Sequence, residues 1–159
     1  MTIDPTGHPR PSLRRDFTLL DGSWEFALGS FGDDDHPSEV TFDRRIQVPF
    51  APETPASGIG ESRVERCWYR RELDVGVPGD GSRAIVHFGA VDRRAVVWAN
   101  GRRVGDHLGG YTPFEVDVTD AARRGDGRVA LELRADDDPT DLDAPRGKQD
   151  WRDDPHAIW

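Results

Sequence analysis

The segment from Val97 to Thr119, VWANGRRVGDHLGGYTPFEVDVT, constrains the fold of this chain more than any other. Val96 and Trp98 alternate with Ala95, Val97 and Ala99, the period of two that a strand shows because successive side chains leave opposite faces. Asn100-Gly101 follows at once. These residues tolerate the paired positive φ angles of a type I′ turn, so a β-hairpin is predicted, with its second strand starting near Val104. Gly105, Gly109 and Gly110 surround His107, which predicts a glycine-rich loop before Phe114, Val116 and Val118 resume the period of two.

The rest of the chain repeats the pattern of short strands and turns. Residues 1–16, rich in proline and arginine, read as an arm, and order is expected from Phe17 onward. Trp24, Phe26 and Leu28 share one face of a first strand. Gly32 to Pro37 is a charged loop, Ile46 and Val48 suggest a short strand, and residues 51–65 hold too much Pro, Gly and Ser for regular structure. Cys67, Tyr69, Leu73 and Val75 alternate with Trp68, Arg70, Glu72 and Asp74, which reads as a half-buried strand. Ala84, Val86, Phe88 and Ala90 predict the next. After the hairpin, Thr119-Asp120 is expected to cap a short helical turn ending at Arg124, and Val129, Leu131 and Leu133 mark a last clear strand. Many short strands without a long helical period predict an all-β sandwich of two antiparallel sheets. Trp24, Phe26, Tyr69, Phe88, Val97, Phe114, Val116, Leu131 and Leu133 are its candidate core.

Composition removes several classes of function. The formal charge is −9, which repels polyanions, so no nucleic-acid partner is expected. No segment approaches the run of about 20 apolar residues that spans a bilayer, and the N-terminus has no apolar signal core, so neither membrane insertion nor secretion is expected and a cytoplasmic location is. The one cysteine, Cys67, excludes a disulfide framework and reads as a buried free thiol. No GxSxG, HExxH or phosphate-binding loop is present, and the five histidines are scattered. Neither a metal site nor a cofactor is expected. The Asp136 to Asp143 run lacks the glycine and terminal glutamate of a calcium loop and reads as a solvated loop.

Five strings, in order, carry a resemblance. They are Leu20-Asp21-Gly22-Ser23-Trp24-Glu25-Phe26, Val48-Pro49-Phe50-Ala51-Pro52-Glu53, Cys67-Trp68-Tyr69-Arg70-Arg71, Phe88-Gly89-Ala90-Val91-Asp92 running into the hairpin, and Pro145-Arg146-Gly147-Lys148-Gln149-Asp150-Trp151. With the hairpin they resemble the N-terminal sugar-binding domain of glycoside hydrolase family 2, which holds β-galactosidases, β-glucuronidases and β-mannosidases. The resemblance implies a jelly-roll sandwich, a retaining mechanism and a β-linked sugar substrate. It also implies an immunoglobulin-like domain and a catalytic (β/α)₈ barrel, and a barrel alone needs about 250 residues. A chain of 159 residues is therefore expected to be a jelly-roll domain over residues 17–159, cut before its last strand and lacking its barrel partner. The implied catalytic carboxylates lie in that barrel, so no catalytic residue is assigned here.

The candidate substrate-binding residues are Lys148, Gln149, Asp150 and Trp151. Lys148 is the only lysine of the chain, and the three after it supply the amide, carboxylate and aromatic face that a sugar requires. In the family a loop of this domain is implied to reach the sugar in the barrel, and Asp150 resembles the acidic residue that does so. The expected parent activity is that of a β-galactosidase. A stand-alone carbohydrate-binding module and a structural support for the barrel of a β-glucuronidase or β-mannosidase remain alternatives. Trp151 and Trp159 predict an exposed apolar tail, which favours self-association into a homo-oligomer.

Overall fold

A computed structural model describes residues 17–30, 36–61, 64–138, 140–141, 143–144, 148–150 and 156–158, the last two segments by backbone alone. The expected 1–16 arm, Trp151 and Trp159 lie outside the described residues.

Eight strands carry the fold: β1 (Gly22–Gly29), β2 (Arg44–Val48), β3 (Arg66–Asp74), β4 (Ile85–Phe88), β5 (Arg94–Ala99), β6 (Arg102–Leu108), β7 (Phe114–Asp117) and β8 (Arg128–Asp136). Six form one sheet in the order β2-β1-β3-β8-β5-β6, and β4 pairs with β7 in a second, two-stranded sheet. Every pairing is antiparallel. The jelly-roll sandwich is thus strongly unequal, with helix α1 (Thr119–Arg124) and the partly buried Ile59 and Val64 of the long connection after β2 completing the smaller layer.

Between the layers lies one core. Trp24 and Phe26 of β1, Ile46 of β2, Cys67 and Leu73 of β3, Ala95, Val97 and Ala99 of β5 and alternate residues of β8 meet Val86, Val116 and Val118 across it. All nine expected core residues belong to this cluster, but Tyr69, Phe88 and Phe114 only in part. The Phe88 and Phe114 rings stack with centroids 4.7 Å apart, and the His107 ring lies on Phe114 at 4.5 Å. Cys67 is buried and free, and that burial pushes its thiol up to about 12, so at neutral pH it stays protonated and unreactive.

The other face of the large sheet is buried in part: Glu72 and Asp74 stay exposed, as the half-buried reading of β3 expects, but Trp68 is buried. Trp68, Val96, Trp98 and Ala27 form a second apolar cluster there, covered by Val40 and Phe42. The segment over them opens with a short 3₁₀ turn, Pro37–Glu39. β3 ends at Asp74, leaving Val75 exposed outside the strand.

The predicted hairpin is present, with Asn100 at φ 53° and Gly101 at φ 71°. Its second strand begins at Arg102 rather than Val104, and the register shifts between Val97 and Trp98. The Asn100 side chain accepts from the Ala130 N–H at 2.7 Å and donates to the carbonyls of Ala121 and Arg128 at 3.1 and 3.2 Å. It ties turn, helix and β8 together. Asn100→Ala removes all three bonds and a residue suited to positive φ, so a loss of about 1–3 kcal/mol is expected, read as a lower urea midpoint. Gly105 serves packing: a Cβ there would meet Val116 Cγ1 at 2.7 Å.

The helix start differs from expectation. Thr119 makes no cap; its hydroxyl instead accepts from the Ala84 N–H at 2.9 Å, and Asp117 accepts from the Thr119 N–H at 2.9 Å. Those bonds to Thr119, with the Arg83 pair at 2.7 Å, lower the Asp117 carboxyl to about 2. A depressed folded value means stability that is present above the unfolded carboxylate range and lost as pH falls from about 4 through about 2. Asp117→Asn should therefore flatten the acid limb of a thermal stability profile.

Candidate functional site

One end of the sandwich gathers the chemistry. The registers Arg66↔Asp136, Arg94↔Asp136 and Arg94↔Leu108 put the start of β3, the end of β8, the start of β5 and the end of β6 at the same edge. The connections beside it are residues 89–93, 109–113 and, among the described residues, 137–138, 140–141 and 143–144. Asp137 N–H donates to the Glu65 carbonyl at 2.8 Å, Gly109 N–H to the Arg93 carbonyl at 2.8 Å and Arg93 N–H to the Asp136 carbonyl at 3.2 Å, which binds these connections to the strand ends. Arg93 also pairs with Asp141. The Val48-Pro49 and Asp92-Arg93 peptide bonds are cis.

Three carboxylates from distant parts of the chain interact here. Partial desolvation raises Glu53 above the usual glutamate range although the residue keeps an exposed surface; a backbone hydrogen bond lowers it, and the like charges of Asp137 and Asp92 add to the rise. Asp92 is raised in the same way by burial, against the lowering influence of Arg93. A Cβ on Gly110 would meet Asp92 Oδ1 at 2.2 Å, so glycine at this position is what admits the carboxylate. The exposed ring of Tyr111 lies within the electrostatic range of Asp92 and Asp137. Carboxylates beside an exposed aromatic ring suit hydroxyl-rich ligands, since they accept from hydroxyl groups while the ring covers C–H faces.

This grouping was not assigned from sequence. Glu53 and Asp92 stood within the recognised strings, and that was the available signal. Of the residues that were assigned, Lys148–Asp150 form a strand, β9, antiparallel to β10 (His156–Ile158) with Asp150 opposite His156. Trp151 lies outside the described residues. The acidic run after β8 is only in part the solvated loop expected. Asp136 is buried within β8 and bonded to Arg66 at 2.7 Å, while Asp138 accepts from the Thr140 N–H at 2.8 Å in a local turn. Among the described residues, no group of three or more His, Cys, Asp or Glu side chains could hold a metal ion, and no helix is long and apolar enough to cross a membrane.

The family model described as "Glycosyl hydrolases family 2, sugar binding domain" matches residues 40–143. The chain belongs to glycoside hydrolase family 2. A β-glucuronidase of Paenibacillus borealis is 29% identical over 131 residues, covering 77% of this family 2 chain and 22% of the relative. A β-galactosidase of Thermoanaerobacter pseudethanolicus is 38% identical over a shorter stretch of 69 residues, 43% of this chain and 9% of the relative. Among solved structures, the Faecalibacterium prausnitzii β-glucuronidase superposes with a TM-score of 0.62 at 32% identity, over 81% of this chain and 22% of that one. This family 2 chain thus spans about a fifth or less of the length of these relatives.

Proposed function

We propose that this chain is the sugar-binding domain of a retaining β-glycosidase, and that it presents carboxylates and aromatic groups to the sugar without supplying a catalytic carboxylate. The observation that carries the reading is the match of residues 40–143 to the family 2 sugar-binding domain, with Glu53 within the electrostatic reach of Asp92 and Asp137 at one end of the sandwich. Lys148, Gln149, Asp150 and Trp151 follow Asp137, Asp138 and Asp141 in sequence. In this reading Asp150 accepts from sugar hydroxyls, Gln149 adds an amide and Trp151 a ring face, while Lys148 favours an anionic sugar.

A β-glucuronide is the preferred substrate class. The Paenibacillus borealis relative and the Faecalibacterium prausnitzii structure, which cover 77% and 81% of this chain, carry the β-glucuronidase name, whereas the β-galactosidase match is confined to 69 residues. The β-galactoside reading reached from sequence stands as the alternative.

Titration calorimetry of the 159-residue chain with glucuronic acid and with galactose tests both. Glucuronic acid is expected to bind the more tightly, and Asp150→Ala to weaken it by about tenfold, the loss of one charge-assisted hydrogen bond. Tighter binding of galactose would favour the alternative, and binding of neither sugar would leave a domain that only supports a barrel. No turnover of nitrophenyl β-glucuronide or β-galactoside is expected, because a retaining mechanism needs two carboxyl groups about 5–5.5 Å apart on one rigid cleft. Turnover that co-purifies with the chain would overturn the non-catalytic role.

A further inference from the structure

On the outer face of the large sheet, away from the carboxylate end, sits a carboxyl group without a full set of partners. Glu132 of β8 is 9% exposed, and its Oε2 has no hydrogen-bond partner among the described residues. Its register partners are Arg70 on β3 and Trp98 on β5. The carboxyl accepts from the Gly101 N–H at the hairpin tip, and the carbonyl of the same Gly101 accepts from His36 Nε2 at 3.1 Å. His36 begins the strap, residues 36–42, that covers this face. Its ring stands edge-on to Trp98 at 6.4 Å, while Val40 and Phe42 pack on the Trp68–Trp98 cluster.

The cations that could neutralise Glu132 are engaged elsewhere. Arg70 Nε donates to Glu25 at 2.5 Å, and its guanidinium lies 4.1 Å from the centre of the Phe42 ring. Arg134, two residues along β8, bonds to Asp136 at 3.0 Å. Glu72 on β3 adds a like charge. An ionised Glu132 would therefore need water at Oε2, and its burial beside the strap-covered Trp98 withholds it.

We propose that Glu132 is a proton-operated latch on the 36–42 strap: uncharged it leaves the strap closed, and ionised it draws water in and lifts the strap from Trp98. Burial raises its carboxyl above the usual glutamate range, against the lowering effects of Gly101, Arg70 and His36, and Glu72 adds to the rise. The sign follows. A raised folded value gives stability that is present at acid pH and lost as pH climbs through that value. Opening exposes the Trp68–Trp98 pair, whose rings stand 5.3 Å apart.

Hydrogen–deuterium exchange of the strap amides, followed from about pH 4 to about pH 8 and corrected for intrinsic rates, tests the latch, because one proton released per opening means a tenfold loss of protection per pH unit. Parent protein is expected to lose strap protection at up to that rate between the ordinary glutamate range and the folded value of Glu132, and to level off above it, with tryptophan quenching by iodide rising in step. Glu132→Gln should hold the strap closed across the whole range. Equal pH profiles in parent and variant would overturn the proposal. If Glu132→Gln fails to fold, the parent alone decides, since strap protection that does not change with pH is incompatible with the latch.

Discussion

Replacing Phe26 with alanine is expected to destabilise the domain by about 3–5 kcal/mol, the range for truncating a fully buried aromatic ring. Phe26 has 0% exposure and its ring meets Tyr69 edge-on, with centroids 5.2 Å apart. It also sits where β1 pairs with β2 and β3 together, opposite Arg44 and Tyr69. The strands on either side restrict collapse into the cavity, so the cost should fall in the upper part of the range. Phe88→Ala is expected to cost less, because Phe88 is only half buried and one of its faces is already taken by Phe114. Urea midpoints of the two variants provide the comparison. A larger loss from Phe88 than from Phe26 would mean that the core centre lies nearer the small sheet than the packing indicates.

Asp136→Ala carries the second large effect. One carboxylate serves two buried guanidinium groups, Arg66 Nε at 2.7 Å through Oδ1 and Arg134 at 3.0 Å through Oδ2. All three residues are buried. Removing the anion leaves two desolvated cations with a shared partner gone, and breaking such a pair costs about 3–5 kcal/mol. The loss should have a local signature too. The Asp136 backbone carbonyl holds the Arg93 N–H at the carboxylate end, so the connections around Asp92 and Asp137 should lose exchange protection in the variant beyond the rest of the sheet. Asp136→Asn, which keeps an acceptor, is expected to recover part of the stability. Uniform loss of protection across all strands would show that Asp136 supports the fold without a particular hold on this end.

Much of the fold is legible in local chemistry. The Asn100-Gly101 turn, the period of two through Trp24, Phe26 and Leu28, and the run Val129, Leu131, Leu133 each declare themselves within a few residues, because turn dihedrals and strand alternation are short-range properties. The family strings extended this to the jelly-roll order and to a sugar-binding role. Local chemistry could not say that part of the outer face of the large sheet is buried too, since Trp68 and Trp98 look like the outward phase until Val40 and Phe42 arrive to cover them. Nor could it place Arg66, Arg134 and Asp136 in one ion network, when Asp136 reads in sequence as the first residue of a solvated acidic run.

The candidate site divides the same way. Residue type pointed to Lys148, Gln149, Asp150 and Trp151, whereas Glu53, Asp92 and Asp137 are far apart in the chain and meet only because antiparallel registers return the ends of β3, β5 and β8 to one edge. The raised protonation of Glu53 and Glu132 belongs wholly to that assembled state, for desolvation and neighbouring charge depend on what packs around a carboxyl group and not on its neighbours in sequence. Sequence by itself therefore determined the strands, the principal core and the family. Tertiary structure alone decided the burial of part of the second face, the meeting of the carboxylates and the strap beside Glu132, because each depends on groups brought together by chain crossings rather than by adjacency.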